Sequence, residues 1–237
     1  MCGRYTLHTE KEALAKRFEF DPAALAPQPA RYNIAPTQNV LVLVNSGGGR
    51  EPRLMRWGLV PPYAKEIGEQ SLLVNARAET LAEKSAFRDA LRAQRCLVLA
   101  DGFYEWQAGG ARNRRVPHWI ARGDHEPFAM AGLYAEWRRR DELLGEILLS
   151  CAIVTTQANA AIAKLHDRMP VILQRSAEGA WIDPELNGET ETLLALLEPV
   201  GPEALESRPV SRRVNSVKND DPSLIALDDS EPSLGFF

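Results

Sequence analysis

The sequence predicts an α+β fold: a β-rich curved sheet or open barrel flanked by helices, in a single domain. Three observations lead there. Short apolar or alternating segments, rich in Val, Ile, Leu and aromatic residues and bounded by Gly, Pro, Asn and Asp, recur along the chain and read as strands. A few stretches carry helical apolar spacing, and they do not alternate strictly with the strands. A length of 237 residues suits one well-buried domain, and no repeat or long linker divides it.

In chain order, Thr9 and Glu12 have capping-box spacing and predict a helix to about Phe18. Asn39–Val44 and Arg53–Trp57 read as strands on either side of the break Ser46–Gly49. Thr80 and Glu83 repeat the capping-box spacing and predict a helix over Leu81–Ala93 that buries Leu81, Phe87 and Leu91. Cys96–Leu99, Phe103–Gln107, His118–Ala121 and Phe128–Leu133 follow as strands, with loops at Ala108–Arg115 and Arg122–Pro127. Leu148–Thr155 and Val171–Leu173 complete the strands, Ala158–Leu165 and Glu191–Leu197 the helices, and Glu198–Pro202 is a break. The domain is expected over residues 1–220, with 221–237 a short acidic C-terminal tail.

With 45% hydrophobic and 25% charged residues the composition is that of an ordinary globular protein. Apolar runs such as Leu41–Val44 and Leu97–Ala100 are too short to cross a bilayer, and the first residues lack a signal-peptide stretch. A cytoplasmic protein without a membrane partner is expected, nucleoid-associated if bacterial. Cys2, Cys96 and Cys151 are odd in number and widely spaced, which argues against a disulfide framework. Together with His8, His118, His125 and His166 they show no metal-ligand spacing, so neither metal nor cofactor is expected. The net charge is −4, but five of the acids lie beyond residue 218, so residues 1–218 hold 28 bases and 27 acids. Charge alone neither supports nor excludes nucleic acid.

Cys2 carries the most distinctive chemistry. Cysteine is small enough for the initiator Met1 to be removed before it. That leaves an α-amine and a thiol on adjacent carbons, with reference pKa values of about 8 and about 8.5. The amine can form a Schiff base with an aldehyde, and the thiol can then close a five-membered thiazolidine; an internal cysteine cannot. On position alone, Cys2 also suits a chance second residue or a small apolar residue on a first strand. Asn75 and Arg77, in Asn75-Ala76-Arg77-Ala78-Glu79, suit the orientation of an amine or sugar and the holding of a phosphate, or a loop amide and a surface guanidinium. In Phe103-Tyr104-Glu105-Trp106, alternation puts Phe103 and Glu105 on one face and Tyr104 and Trp106 on the other. Burial would raise the Glu105 carboxyl and fit it for proton transfer, and Trp106 can stack on a base. The alternative is an exposed Glu on an edge strand. His166 lies at a helix-to-strand junction in His166-Asp167-Arg168-Met169-Pro170, where Arg168 is a second candidate phosphate ligand. The other histidines, with Cys96 and Cys151, read as structural.

Met1-Cys2-Gly3-Arg4-Tyr5, Tyr32-Asn33-Ile34-Ala35-Pro36, Trp57-Gly58-Leu59, Asn75-Ala76-Arg77-Ala78-Glu79-Thr80, Cys96-Leu97 through Asp101-Gly102-Phe103-Tyr104-Glu105-Trp106, and His166-Asp167-Arg168-Met169-Pro170 occur in that order. In this the chain resembles the SOS-response-associated peptidase (SRAP) family, from residue 2 to about residue 220. The resemblance implies a β-rich fold with a basic groove for single-stranded DNA and a Cys2 thiazolidine with the ring-opened aldehyde of an abasic site. It implies Cys2, Asn75, Glu105 and His166 as active-site residues. It implies Arg77 and Arg168 as phosphate contacts, Arg4 and Asn33 as groove lining, and Trp106 as an aromatic near the DNA bend. The expected partner is single-stranded DNA containing abasic sites, bound by a monomer. Autocatalytic removal of Met1 and a lyase side reaction through β-elimination of the Schiff base are further implications.

Three other readings compete. Glutamine amidotransferases also begin Met-Cys-Gly, but here Arg4-Tyr5-Thr6 follows and no Arg-Gly-Pro-Asp segment occurs. A protease acting through Cys2 and His166 leaves Glu105 and the arginines without a role. A non-covalent DNA binder makes Cys2 incidental.

Overall fold

Val40–Val44 and Cys96–Ala100 are apolar at every position, and strands of that kind need cover on both faces. The computed structural model, which describes residues 2–68, 72–107, 115–139 and 146–228, supplies that cover with two sheets. In chain order the elements are β1 (Tyr5–Leu7), α1 (Lys11–Phe18), β2 (Arg31–Ile34), β3 (Asn39–Asn45), β4 (Arg50–Trp57), β5 (Asn75–Arg77), α2 (Ser85–Ala93), β6 (Arg95–Ala100), β7 (Gly102–Gln107), β8 (Val116–Arg122), β9 (Phe128–Trp137), β10 (Leu148–Gln157), β11 (Arg168–Pro170), α3 (Arg175–Trp181), α4 (Thr190–Ala195) and β12 (Leu205–Pro209). This is the α+β architecture the sequence predicts.

β4, β3, β6, β9 and β10 pair in a ring, because β10 hydrogen-bonds to both β9 and β4, so this barrel leaves none of the five as a free edge. The far half of β10 continues beyond the ring and pairs with β5 on one side and β11 on the other. The second sheet runs β12-β8-β7-β1-β2. Its inner face gives Tyr5, Phe103 and Ile120 to the main core. Its outer face carries Tyr104, Trp119 and Ala121, covered by Val210, Val214 and Leu224 from the C-terminal segment. The helices pack outside, burying Leu14 and Phe18 of α1, Phe87 and Leu91 of α2, Trp181 of α3 and Leu193 of α4. Arg95 is buried with its charge fully hydrogen-bonded: it donates to Leu91 O, Arg92 O, Trp181 O, Asp183 O and Asn187 Oδ1. It thereby satisfies the open carbonyls at the end of α2 and ties them to the end of α3.

Several expected boundaries move for physical reasons. The Thr9 hydroxyl donates to Asp101 Oδ1 at 2.6 Å instead of capping a helix, so α1 starts at Lys11 behind an uncapped Glu10. Thr80 closes a turn through its carbonyl, which accepts from the Glu83 and Lys84 amides, and α2 starts only at Ser85. Leu81, Phe87 and Leu91 are nonetheless buried as predicted. Strand pairing after His166 falls on Arg168–Pro170 rather than Val171–Leu173, which keeps only a bridge from Ile172 to Met130. Ala158–Leu165 holds no more than a 3-10 turn at Ile162–Lys164. The sequence reading also misses β1, β2, β5, β12 and α3. The packed body extends past residue 220: Asp221 caps a 3-10 turn at Pro222–Ile225, and Leu224 is fully buried. The expected tail therefore shortens, and residues 229–237 lie outside the described chain, as does most of the expected loop Ala108–Arg115. Among the described residues no helix is long and apolar enough to cross a membrane.

Gly102 opens β7 at the corner after β6. A Cβ there would stand 2.8 Å from Ile120 O and 2.5 Å from Trp119 Nε1, so backbone would have to shift. Gly102→Ala is expected to destabilise the fold by about 1–3 kcal/mol in urea unfolding, as overpacking of a tight site does. An unchanged midpoint would show that the β7–β8 corner is loose.

Candidate active site

The site begins with how the chain start is held. The Tyr104 amide donates to Arg4 O at 2.9 Å, and Tyr5 pairs with Phe103 of β7 and Ile34 of β2. Chain starts usually fray at the surface; this one is clamped two residues in, and Cys2 is drawn into the main core with no exposed surface. From the other sheet, β5 brings Asn75, whose Nδ2 donates to Cys2 O at 2.9 Å. Its Oδ1 is buried and has no hydrogen-bond partner among the described residues. Glu105 lies on the inner face of β7, 2% exposed. His166 stands between the Ile162–Lys164 turn and β11. The Arg168 amide donates to His166 Nδ1 at 2.9 Å, so the neutral ring carries its proton on Nε2. Asp167 Oδ1 lies 2.7 Å from the same Nδ1.

The electrostatics couple these groups. Burial raises the Glu105 carboxyl above the usual carboxylate range, and neighbouring positive charge, His166 included, pulls it partly back. Burial, then the Glu105 charge, pushes the Cys2 thiol well above its ordinary value. At rest the thiol therefore keeps its proton and is a poor nucleophile. The structure thus brings together the four residues predicted to be catalytic.

The residues expected at DNA divide in two. Arg77, exposed at the end of β5, and Arg168, at the start of β11, flank the far half of β10 beside His166. Arg168 is held by Glu79 in a two-pronged ion pair. Arg4, Asn33 and Trp106 instead meet the segment 214–219. Arg4 Nη1 donates to Asn33 Oδ1 and Val214 O, and Trp106 Nε1 donates to Asn215 Oδ1. Asn33 is fully buried, and its Nδ2 serves Val214 O, Ser216 O and Asn219 O at 2.8–3.1 Å. Its amide is thus spent inside the protein, on the carbonyls of the C-terminal segment.

Two residues escape the sequence reading. Glu79 is one. The other is His118, left as structural, which sits directly across from Glu105 in the β7–β8 register. It is 1% exposed, with no partner for either ring nitrogen among the described residues. Only strand register reveals this neighbour, and no motif carries it.

The two-sheet α+β domain thus buries a near-terminal cysteine beside the amide of Asn75 and the carboxyl of Glu105, which is itself coupled to the His166 imidazole. The chain belongs to the SOS response associated peptidase (SRAP) family, whose model matches residues 1–217. It is 40% identical over 228 residues to the abasic site processing protein YoqW of Bacillus subtilis, covering 95% of this chain and 99% of that protein. It is 32% identical over 231 residues to the abasic site processing protein YedK of Escherichia coli, covering 95% and 99%. A protein of Bacteroides thetaiotaomicron shares the fold, with a TM-score of 0.82 and 24% identity over 96% of this chain and 100% of that one.

Burial pushes the His118 imidazole from 6.5 down to about 4. Between those values the unfolded chain binds a proton at this position that the folded protein does not, so stability falls as the pH drops through the window. The loss reaches about 3 kcal/mol. Urea unfolding across pH 7 to 4 is expected to show a shallower acid limb for His118→Phe than for wild type. Parallel curves would contradict this assignment.

Proposed function

We propose that this protein captures abasic sites in single-stranded DNA by forming a thiazolidine between Cys2 and the ring-opened sugar. The observation that carries the reading is the burial of Cys2 between the two sheets, bonded to Asn75 and electrostatically coupled to Glu105, which is in turn coupled to His166. The names of the relatives agree with it.

The chemistry follows from the charge states. Removal of Met1, by self-processing or by an aminopeptidase, frees the Cys2 amine; the open Asn75 Oδ1 is placed to accept one of its N–H bonds. The thiol holds its proton, so the amine attacks first, adding to the aldehyde carbon to give a carbinolamine. Glu105, protonated to a higher pH than an ordinary carboxyl, gives its proton to the departing hydroxyl and its carboxylate takes up the proton that leaves nitrogen, so that water departs and a C=N bond forms. The thiol then adds across that bond. Sulfur bonds to carbon, and one hydrogen returns to nitrogen, closing the ring with one water lost overall. The His166 Nε2–H donates to the sugar hydroxyl as the sugar ring opens. Arg77 and Arg168 hold phosphates and set register without reading sequence, and Trp106 stacks on a neighbouring base. If closure fails, the C=N intermediate is open to β-elimination, which cuts the strand and is the lyase side reaction.

An oligonucleotide with one abasic site, followed by denaturing gel and intact mass, tests this. Wild type is expected to give an adduct stable without reductant and with Met1 absent. Cys2→Ala and Cys2→Ser are expected to give none, and Glu105→Gln to form it more slowly by about 10²-fold or more. No adduct from a protein lacking Met1, or an adduct that persists in Cys2→Ala, would contradict the proposal.

A further inference from the structure

Arg168 is assigned to a DNA phosphate, yet its guanidinium already has a ligand. Nη1 and Nη2 donate to the two carboxylate oxygens of Glu79 at 2.6 and 2.9 Å, and Nη2 also donates to Thr155 O at 2.7 Å. The Arg168 side chain is only 12% exposed, so little of the fork remains for a second anion. A carboxylate seated in two-pronged register uses the same donors in the same plane that a phosphate would use. The Arg168 hydrogen bonds hold the Glu79 carboxyl below the usual carboxylate range, and the Arg77 charge contributes in the same direction. One acidic side chain therefore lies within the field of both cations assigned to phosphates. Topology explains the meeting: β5 and β11 flank β10, and Glu79 stands in the 3-10 turn that directly follows Arg77. The Glu79 side chain is 45% exposed and can swing into solvent.

We infer that Glu79 is the resting anion of the phosphate seat: it occupies Arg168 until a DNA phosphate displaces it, and so limits the protein's affinity for single-stranded DNA. The inference rests on the reading that Arg168 holds a phosphate. In the free protein Glu79 keeps a largely buried guanidinium from being left without an anion. On binding, the phosphate replaces the carboxylate on the same N–H groups, and Glu79 turns outward. The contact opposes every strand equally, so a backbone that also engages Arg77 is favoured over an isolated anion.

Binding of a fluorescent single-stranded oligonucleotide without an abasic site, titrated by anisotropy over a series of salt concentrations, tests this apart from crosslinking. Glu79→Gln keeps the shape and one acceptor for Arg168, and Glu79→Ala removes both. Each is expected to bind about twofold to fivefold tighter than wild type at low salt, the scale of one ion pair. Arg168→Gln is expected to bind more weakly, with a salt slope shallower by about 0.7, the value of one single-strand phosphate contact. Glu79→Gln added to Arg168→Gln is expected to change nothing further. Equal or weaker binding by both Glu79 variants overturns the inference, as does a double variant that binds tighter than Arg168→Gln alone, which would make Glu79 a simple repulsive charge. Unchanged affinity and slope in Arg168→Gln would instead remove the phosphate assignment beneath it.

Discussion

A near-terminal residue held in a protein interior needs backbone pairing that begins almost at once, because a free end otherwise takes its polar groups into water. Here the Arg4 carbonyl and the Tyr5 register against β7 and β2 supply that pairing. Every feature of the site depends on this clamp. It sets Cys2 under the sheet, within reach of Asn75 on the opposite sheet. It also puts Cys2 on the inner side of β7, where Glu105 points. A slip of one residue in β1 would turn its side chains to the other face and reorient the chain that leads to Cys2.

The clamp is itself reinforced from the far end of the chain. Asn33, next to the β1 pairing on β2, spends its amide on the carbonyls of 214–219, and Arg4 bonds to the same segment. Arg31 and the Tyr32 amide bind Asp220. The acids after residue 218 thus include one, Asp220, that fastens the C-terminal segment across β2.

The sequence made the architecture legible wherever a pattern ran long enough. The apolar runs of β3, β6, β9 and β10 and the alternation of Phe103 to Trp106 identified strands and, in the last case, the faces. The inert setting of Cys96 and Cys151 followed from the same patterns, whereas the sequence left Glu105 open between burial and an exposed edge position, and only the packing of the second sheet on the core decides it. The strands that escaped, β1, β2, β5 and β12, are three to five residues long and exist because of their partners rather than any periodicity of their own, and α3 is a helix of only seven residues. The capping box at Thr9 failed for a related reason: its hydroxyl found Asp101, ninety-two positions away in sequence. In the site, the motifs named the residues but not their partners. Nothing local shows that His118 faces Glu105, that Glu79 reaches Arg168, or that Asn33 is walled in by 214–219.

The resting charges also order the chemistry. In the proposed reaction, a thiol that burial keeps protonated, beside a carboxyl that burial keeps protonated to a higher pH, favours amine attack first and sulfur closure second. The central claim is that both nucleophiles of Cys2 end on one carbon. The most direct measurement is a crystal structure of the protein reacted with abasic single-stranded DNA. The account predicts continuous density from the Cys2 nitrogen and from Sγ to C1′ of the opened sugar, with Asn75 and Glu105 against the new ring. A sugar bonded through nitrogen alone, or bonded to any other residue, would contradict it.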